Sequence, residues 1–107
     1  MAKPLKFQII QTAKELIQNE RHWCRGYLAI DDYGFPVDPT GTEAVKRCAL
    51  GALIAAAYQL TIDKVRAHQL ALNALRPLCG SNSIALINDH RGHAAVLALF
   101  DEAMAGL

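Results

Sequence analysis

The sequence has few of the features that would assign it to a special class of protein. Only 7% of its 107 residues are aromatic, and it has seven Gly and four Pro, so collagen-like and low-complexity classes are excluded. Neither sign of charge predominates, because the sequence has eleven Lys and Arg and ten Asp and Glu. The net charge of +1 gives no strong field toward nucleic acid, membranes or acidic partners.

Cysteines are few, and long hydrophobic runs are missing. Cys24, Cys48 and Cys79 are odd in number and irregularly spaced, so we expect three free thiols in a reducing compartment instead of a disulfide framework. The apolar run at 48–58 is well short of the roughly 20 residues that cross a bilayer. The N-terminal segment lacks the apolar stretch of a secretory signal. We therefore expect a cytoplasmic chain with no membrane partner.

What the sequence does contain is enough apolar residues for one core. The chain is 52% hydrophobic, and its length suits one helical domain over 1–107. Apolar side chains at helical spacing predict four helices, at about 5–18, 41–60, 62–76 and 91–105. The expected fold is therefore mainly α.

The helix predicted at 41–60 is apolar on every side from Cys48 onward, which is typical of a central helix. Thr40 and Glu43 have the spacing of a capping box and predict its start. Gly51 and the alanines near it form a small-residue face, which we expect to pack on the last helix through Val96, Leu99 or Phe100.

Two segments are not predicted to be helical with the same clarity. Bulky residues around turn chemistry predict a short β-hairpin or an ordered loop at about 26–37. The segment 83–87 is apolar and short, so periodicity leaves helix and strand open.

Thr61 is the expected cap of the third helix, whose apolar stripe would contain Ile62, Val65, Leu72 and Leu75.

Several local patterns stand in one order along the chain. They are Trp23-x-x-Gly26, Asp32-x-Gly34, Ala44-Val45-x-x-Cys48-x-x-Gly51-Ala52-Leu53, Asn88-Asp89 and Val96-x-x-x-Phe100-Asp101-x-Ala103. The set resembles a family of small bacterial and phage proteins catalogued as domain of unknown function 6197, over about residues 9–104. The resemblance implies a compact, mainly helical domain and assigns no activity or catalytic residue.

Five residues are candidates for a ligand or partner surface. A Trp with a nearby guanidinium can stack on a planar group, and Asn and Asp present acceptors. The favoured interpretation of Asn88 and Asp89 is nevertheless that they cap the last helix. The candidate residues are Trp23, Arg25, Asn88, Asp89 and His93.

A thiol-dependent hydrolase is one alternative function. Cys48, His93 and Asn88 or Asp89 have the residue types of such an enzyme, but Cys48 lies in an apolar stretch where burial raises a thiol pKa. Cys24 is the better candidate for reactivity, because Arg21 and Arg25 in a predicted loop would favour its thiolate.

A metal site would have to combine His22-x-Cys24 with His90-x-x-His93. Neither spacing is typical of zinc, so no metal and no cofactor are expected.

A DNA-binding helix-turn-helix at about 55–69 is the alternative from another class. Ala55 to Val65 has its rhythm of small residues, a tight turn and an apolar residue beyond. Gln59 stands where a turn glycine is usual, and Lys64 and Arg66 give little of the positive charge that binds phosphates. Nucleic acid is therefore not the expected partner. The favoured hypothesis is a non-catalytic binding or accessory domain whose partner, a protein or a small molecule, is unknown.

Overall fold

The fold is taken from a computed structural model that describes residues 3–107. This part of the chain contains five α-helices and one pair of very short strands. In chain order the elements are α1 (Leu5–Ile17), a 3-10 turn (Glu20–His22), β1 (Ala29–Ile30), β2 (Lys46–Arg47), α2 (Ala49–Thr61), α3 (Lys64–Asn73), α4 (Ser81–Arg91) and α5 (His93–Ala105). The mainly helical class is confirmed, and 83–87 lies within a helix, α4.

Helix α2 is the centre of the fold, as its composition predicts. Its residues from Gly51 to Ala57 are all buried. Helix α1 packs on it through Ile9, Ile10, Ala13 and Ile17, which recur at helical spacing. Phe100 of α5 is fully buried in the same core. None of the helices within 3–107 has the length and apolar content needed to span a membrane.

The predicted start of the central helix is wrong by eight residues. Helix α2 begins at Ala49 and not near 41, because Thr40 bonds with Asp38 instead of capping a helix. The Asp38 carboxylate accepts both the backbone N–H of Thr40 at 2.8 Å and its hydroxyl at 2.7 Å. The N–H of Val45 then donates to the carbonyl of Ile30, which draws this segment into the strand pair.

The loop predicted at 26–37 is ordered and contains β1. Strand β1 pairs antiparallel with β2, in the register Ala29 with Arg47. Ile30 also forms an isolated antiparallel bridge with Pro36 across a tight turn. The hairpin or ordered loop is therefore confirmed, and its partner strand β2, which is as short as β1, comes from outside it, immediately before α2.

Gly51 faces a different neighbour from the one expected. A Cβ atom built on Gly51 would lie 1.9 Å from the carbonyl oxygen of Leu28, so the small-residue face accepts the loop backbone and not α5. The N–H of Cys48 donates to that same carbonyl at 3.1 Å, which holds the loop against the first turn of α2. No side chain fits between them.

Of the four residues predicted to form the buried apolar stripe of α3, only Leu75, just after the helix, is buried. Ile62 and Val65 are 73% and 71% exposed, and Leu72 is exposed as well. The buried positions are Ala67 and Ala71, whose small side chains let α3 lie close to α2. Close helix contact was decided by small residues, which a search for bulky apolar side chains misses.

Candidate functional site

The side chain of Asn88, near the end of α4, connects three parts of the fold. Its Oδ1 accepts the indole N–H of Trp23 at 2.7 Å and the backbone N–H of Ala49 at 2.9 Å. Its Nδ2 donates to the carbonyl of Cys24 at 3.0 Å and to the carboxylate of Asp89 at 3.1 Å. Asn88 is 1% exposed, so four hydrogen bonds satisfy a buried amide completely.

This arrangement corrects the capping interpretation. Asn88 and Asp89 lie in α4 and not in the loop before α5, and neither caps α5. Asn88 instead accepts the N–H of Ala49, the first residue of α2, and so completes the N-terminus of a helix that is 39 residues away in sequence. We call Asn88 with its partners Trp23, Cys24, Ala49 and Asp89 the Asn88 hub.

Arg25 and His93 both lie next to the hub's indole ring. The guanidinium carbon of Arg25 is 5.2 Å from the centre of the Trp23 ring, a cation–π contact. The ring of His93 is 5.6 Å from that of Trp23 and tilted by 57°. The structure therefore brings together all five residues that the sequence singled out.

Asp89 connects the hub to the loop before β1. Its Oδ1 accepts the N–H of Gly26 at 3.1 Å, besides the amide of Asn88. Gly26 has a φ of +80°, a left-handed conformation that suits glycine and turns its N–H toward the carboxylate. The amide of Asn88, then the N–H of Gly26, lower the pKa of Asp89, which keeps this carboxyl ionised.

A cavity of about 180 Å³ opens beside the hub, between the loop before β1, the first turn of α2 and α4. Its walls are mainly apolar, and Asp89 is the carboxylate among them. Of the five candidate residues, Asn88 and Asp89 line it, whereas Trp23, Arg25 and His93 do not. The lining residues are Gly26, Tyr27, Leu28, Cys48, Leu50, Ala85, Asn88 and Asp89.

Most of these lining residues were not predicted from the sequence. Tyr27 and Leu28 look like ordinary strand residues, and Leu50 like one more apolar residue of a core helix. The spacing Trp23-x-x-Gly26 is the local signal that could have located the cavity, because this glycine provides the turn that Asp89 holds.

The expectation for Cys24 is wrong. Cys24 is 7% exposed, and burial, followed by the neighbouring thiol of Cys48, raises its pKa to about 11. Trp23 and Cys24 are the buried residues of this segment, and the N–H of Cys24 donates to the carbonyl of Arg47 beside a parallel bridge between Trp23 and Arg47. Its basic neighbours in sequence therefore do not activate this thiol.

The residues of a thiol hydrolase are not placed as that reaction needs. The Sγ of Cys48 accepts the N–H of Gly51 at 3.3 Å, and burial raises the pKa of this thiol. The Nε2 of His93 contacts the carbonyl of Ile17 at 2.6 Å, so its partner is a backbone oxygen and not a thiol. Within residues 3–107, no three His, Cys, Asp or Glu side chains are grouped as a metal site.

The region of the predicted helix-turn-helix consists of two helices joined by Ile62 and Asp63. Asp63 caps α3 by accepting the N–H of Arg66 at 3.1 Å, whereas Thr61, the expected cap, donates its hydroxyl to the carbonyl of Ala57. Lys64 forms an ion pair with Asp38 at 3.2 Å. The absence of DNA binding remains a prediction.

The fold and the site define a small, mainly helical protein in which a buried asparagine organises the wall of one apolar cavity. The chain belongs to a family of unknown function, DUF6197, whose model matches residues 2–106. This finding confirms the family suggested by the ordered sequence motifs. No curated protein and no solved structure gives a significant match to the chain.

Proposed function

We propose that this protein is a non-catalytic binding domain, formed by residues 1–107, and that the cavity beside the Asn88 hub takes one cationic group of a ligand or partner. The carboxylate of Asp89 is the observation that carries this proposal. The free thiols of Cys24, Cys48 and Cys79 support a reducing compartment such as the cytoplasm.

Asp89 has an oxygen available for a ligand. Its Oδ1 already accepts two hydrogen bonds, from Gly26 and Asn88. Among residues 3–107, no hydrogen bond or ion pair engages Oδ2, although His90 and Arg25 lie near enough to contribute to the lowered pKa of Asp89. An ionised carboxylate on an apolar wall favours an ammonium or guanidinium group over an anion.

The size and the walls of the cavity limit what it can hold. About 180 Å³ is below the 300–1,000 Å³ of typical drug-sized pockets, so one side chain or a small amine fits. Leu28, Leu50 and Ala85 can cover the methylene groups of such an amine while its head reaches Asp89.

The cavity wall is also held in place before any ligand arrives. Because Asn88 uses all four of its hydrogen-bonding positions inside the protein, it fixes α4 against the loop and against α2. Because this carboxylate is already fixed, less conformational entropy is lost when a ligand binds. The hub therefore acts as the support of the site, and Asp89 acts as its contact.

A titration with n-butylammonium, followed by amide chemical shifts in NMR, tests this proposal. We expect saturable shifts at Gly26, Leu28 and Leu50, and none with butyrate at the same concentration. Asp89→Asn keeps the size and the acceptor for Gly26, and we expect it to weaken binding by about tenfold, since a charge-assisted bond is lost. The matched control is Asp101→Asn on α5, which removes a carboxylate that does not line the cavity and is paired with Lys14.

Equal shifts with butyrate, or equal affinity in Asp89→Asn, would contradict the proposal. Shifts confined to residues outside the cavity would contradict it as well.

A further inference from the structure

We infer that the natural occupant is a basic segment of a protein partner, which places one Lys or Arg side chain in the cavity and lies against the exposed aromatic turn at 31–35. This inference rests on the proposed function and identifies the class of partner. It is carried by the geometry of that turn and by the charges around it.

The turn is rigid although it is exposed. The Oδ1 of Asp31 accepts the backbone N–H groups of Tyr33 and Phe35, both at 2.9 Å. The backbone adds two bonds, from Asp31 N–H to the carbonyl of Phe35 and from Gly34 N–H to the carbonyl of Asp31. Gly34 has a φ of +83°, which closes the turn without strain.

This rigid turn holds two aromatic side chains in solvent. Tyr33 is 86% exposed and Phe35 is 66% exposed. Exposed aromatic rings on a fixed backbone are typical of interface anchors, because they bury much area and lose little conformational entropy on binding. The core does not use these rings, so both are free to be buried by a partner.

The charges around the turn select a basic partner. The segment 31–45 contains four carboxylates and no Lys, Arg or His, although the whole chain has a charge of +1. Asp31 accepts bonds within the turn and Asp38 is paired with Lys64 at 3.2 Å, while Asp32 and Glu43 are exposed. Lys46 and Arg47 follow the segment directly, so the acidic character belongs to the turn itself, which carries Asp31 and Asp32. Lys and Arg can contact both the carboxylates and the aromatic faces of the turn.

The turn lies within reach of the cavity. Leu28 lines the cavity, and Tyr33 follows it by five residues, which span at most about 17 Å when extended. Strand β1 lies between them, and the bridge from Ile30 to Pro36 folds the chain back on itself. An extended peptide of about five residues covers that distance, so one short segment can contact both features.

Selection from a phage-displayed library of short random peptides tests this inference, with the affinity of selected peptides measured by fluorescence anisotropy at low salt. We expect Lys and Arg to be enriched in the selected peptides. Affinity should fall about tenfold in Asp89→Asn and about fivefold in Tyr33→Ser/Phe35→Ser. The matched control is Ile62→Ser/Val65→Ser, which removes two equally exposed apolar side chains elsewhere and should leave affinity unchanged.

The same variants separate this inference from the proposed function. If Tyr33→Ser/Phe35→Ser binds the peptides as tightly as the parent, the role of the turn is overturned, and the cavity site stands as long as n-butylammonium still depends on Asp89. Selection of acidic peptides, or of none, overturns the inference. If the turn variant loses peptide affinity and keeps n-butylammonium binding, the inference is supported.

Discussion

The Asn88 hub and the turn between α2 and α3 are both places where a helix begins. Each helix has a local side-chain cap, Cys48 for α2 and Asp63 for α3, but only the hub adds a side chain from far along the chain. At the hub, the first N–H of α2 is satisfied by a side chain 39 residues away. At the α2–α3 turn, Asp63 satisfies the N–H of Arg66, three residues along the chain. The hub is buried, whereas the turn exposes Ile62 and Val65.

The difference teaches where this protein concentrates its stability. A buried hydrogen-bond network is costly to leave incomplete, because each unsatisfied group loses the water that it would have in the unfolded chain. An exposed turn has water available for every group, so its substitutions change the free energy of unfolding by less. Four predictions test this contrast.

The largest effect is expected for Asn88→Ala at the hub. It leaves the indole N–H of Trp23, the N–H of Ala49 and the carbonyl of Cys24 without their partner. The free energy of unfolding should fall by more than about 3 kcal/mol, measured by urea denaturation. Asn73→Ala is the control, since its amide bonds only within α3. A loss as small as that of the control would show that water replaces Asn88.

The next largest loss of stability is expected for Gly51→Ala. Ala is the better helix former by about 1 kcal/mol, but its Cβ would collide with the carbonyl of Leu28, which the N–H of Cys48 holds in place. We expect a net loss of more than about 2 kcal/mol. In Gly106→Ala the new Cβ meets only ordinary contacts, and stability should stay within about 0.5 kcal/mol of the parent. Unchanged stability of Gly51→Ala would mean that the loop can move away from α2.

Thiol reactivity should separate the hub from the rest of the chain. Burial raises the pKa of all three thiols, but Cys24 and Cys48 are buried whereas Cys79 is partly exposed. At neutral pH, a maleimide should modify Cys79 at least about tenfold faster than Cys24 or Cys48, because the reagent must reach the thiol. Mass spectrometry of the folded protein measures this order, and Cys79→Ser should remove the fast phase. Earlier modification of Cys24 would show that the hub opens readily.

The smallest effect is expected at the α2–α3 turn, and it has the opposite sign. Ile62 has a φ of +54°, which is unfavourable for a β-branched residue, and its side chain is exposed. Ile62→Asn should therefore stabilise the protein by roughly 0.5 to 1 kcal/mol, measured by urea denaturation. In the same turn Asp63→Ala should cost about 1 kcal/mol through the lost cap. Destabilisation by Ile62→Asn would indicate that Ile62 packs on a partner or on a second copy.

The elements that could be predicted are those specified by nearby residues. The apolar spacing of Phe7 to Ile17 gives α1, and the composition of 49–57 gives the central position of α2. The first turn of α2 could not be placed, because Thr40 to Glu43 has the form of a capping box. In the structure, Thr40 bonds to Asp38 instead. Local side-chain bonds therefore offered two schemes, and the structure has the one that is compatible with the strand pair.

The sequence predicted which residues belong to the candidate site, but not how they are arranged in space. Trp23, Arg25, Asn88, Asp89 and His93 were identified by their chemistry, and the structure brings them together. The cavity beside them was not predicted, because its apolar walls come from three separate segments whose residues look like ordinary core residues. Their separation in sequence hides the site.

The sequence by itself determined the mainly helical class, the apolar centre at α2 and the family, because periodicity, composition and ordered motifs are local properties. Only the tertiary structure decided that Asn88 completes the N-terminus of α2 and that Gly51 meets the carbonyl of Leu28. These are contacts between segments far apart in the chain. Helix packing decides which groups meet in these contacts, so they cannot be predicted from the residues that neighbour Asn88 and Gly51 in sequence.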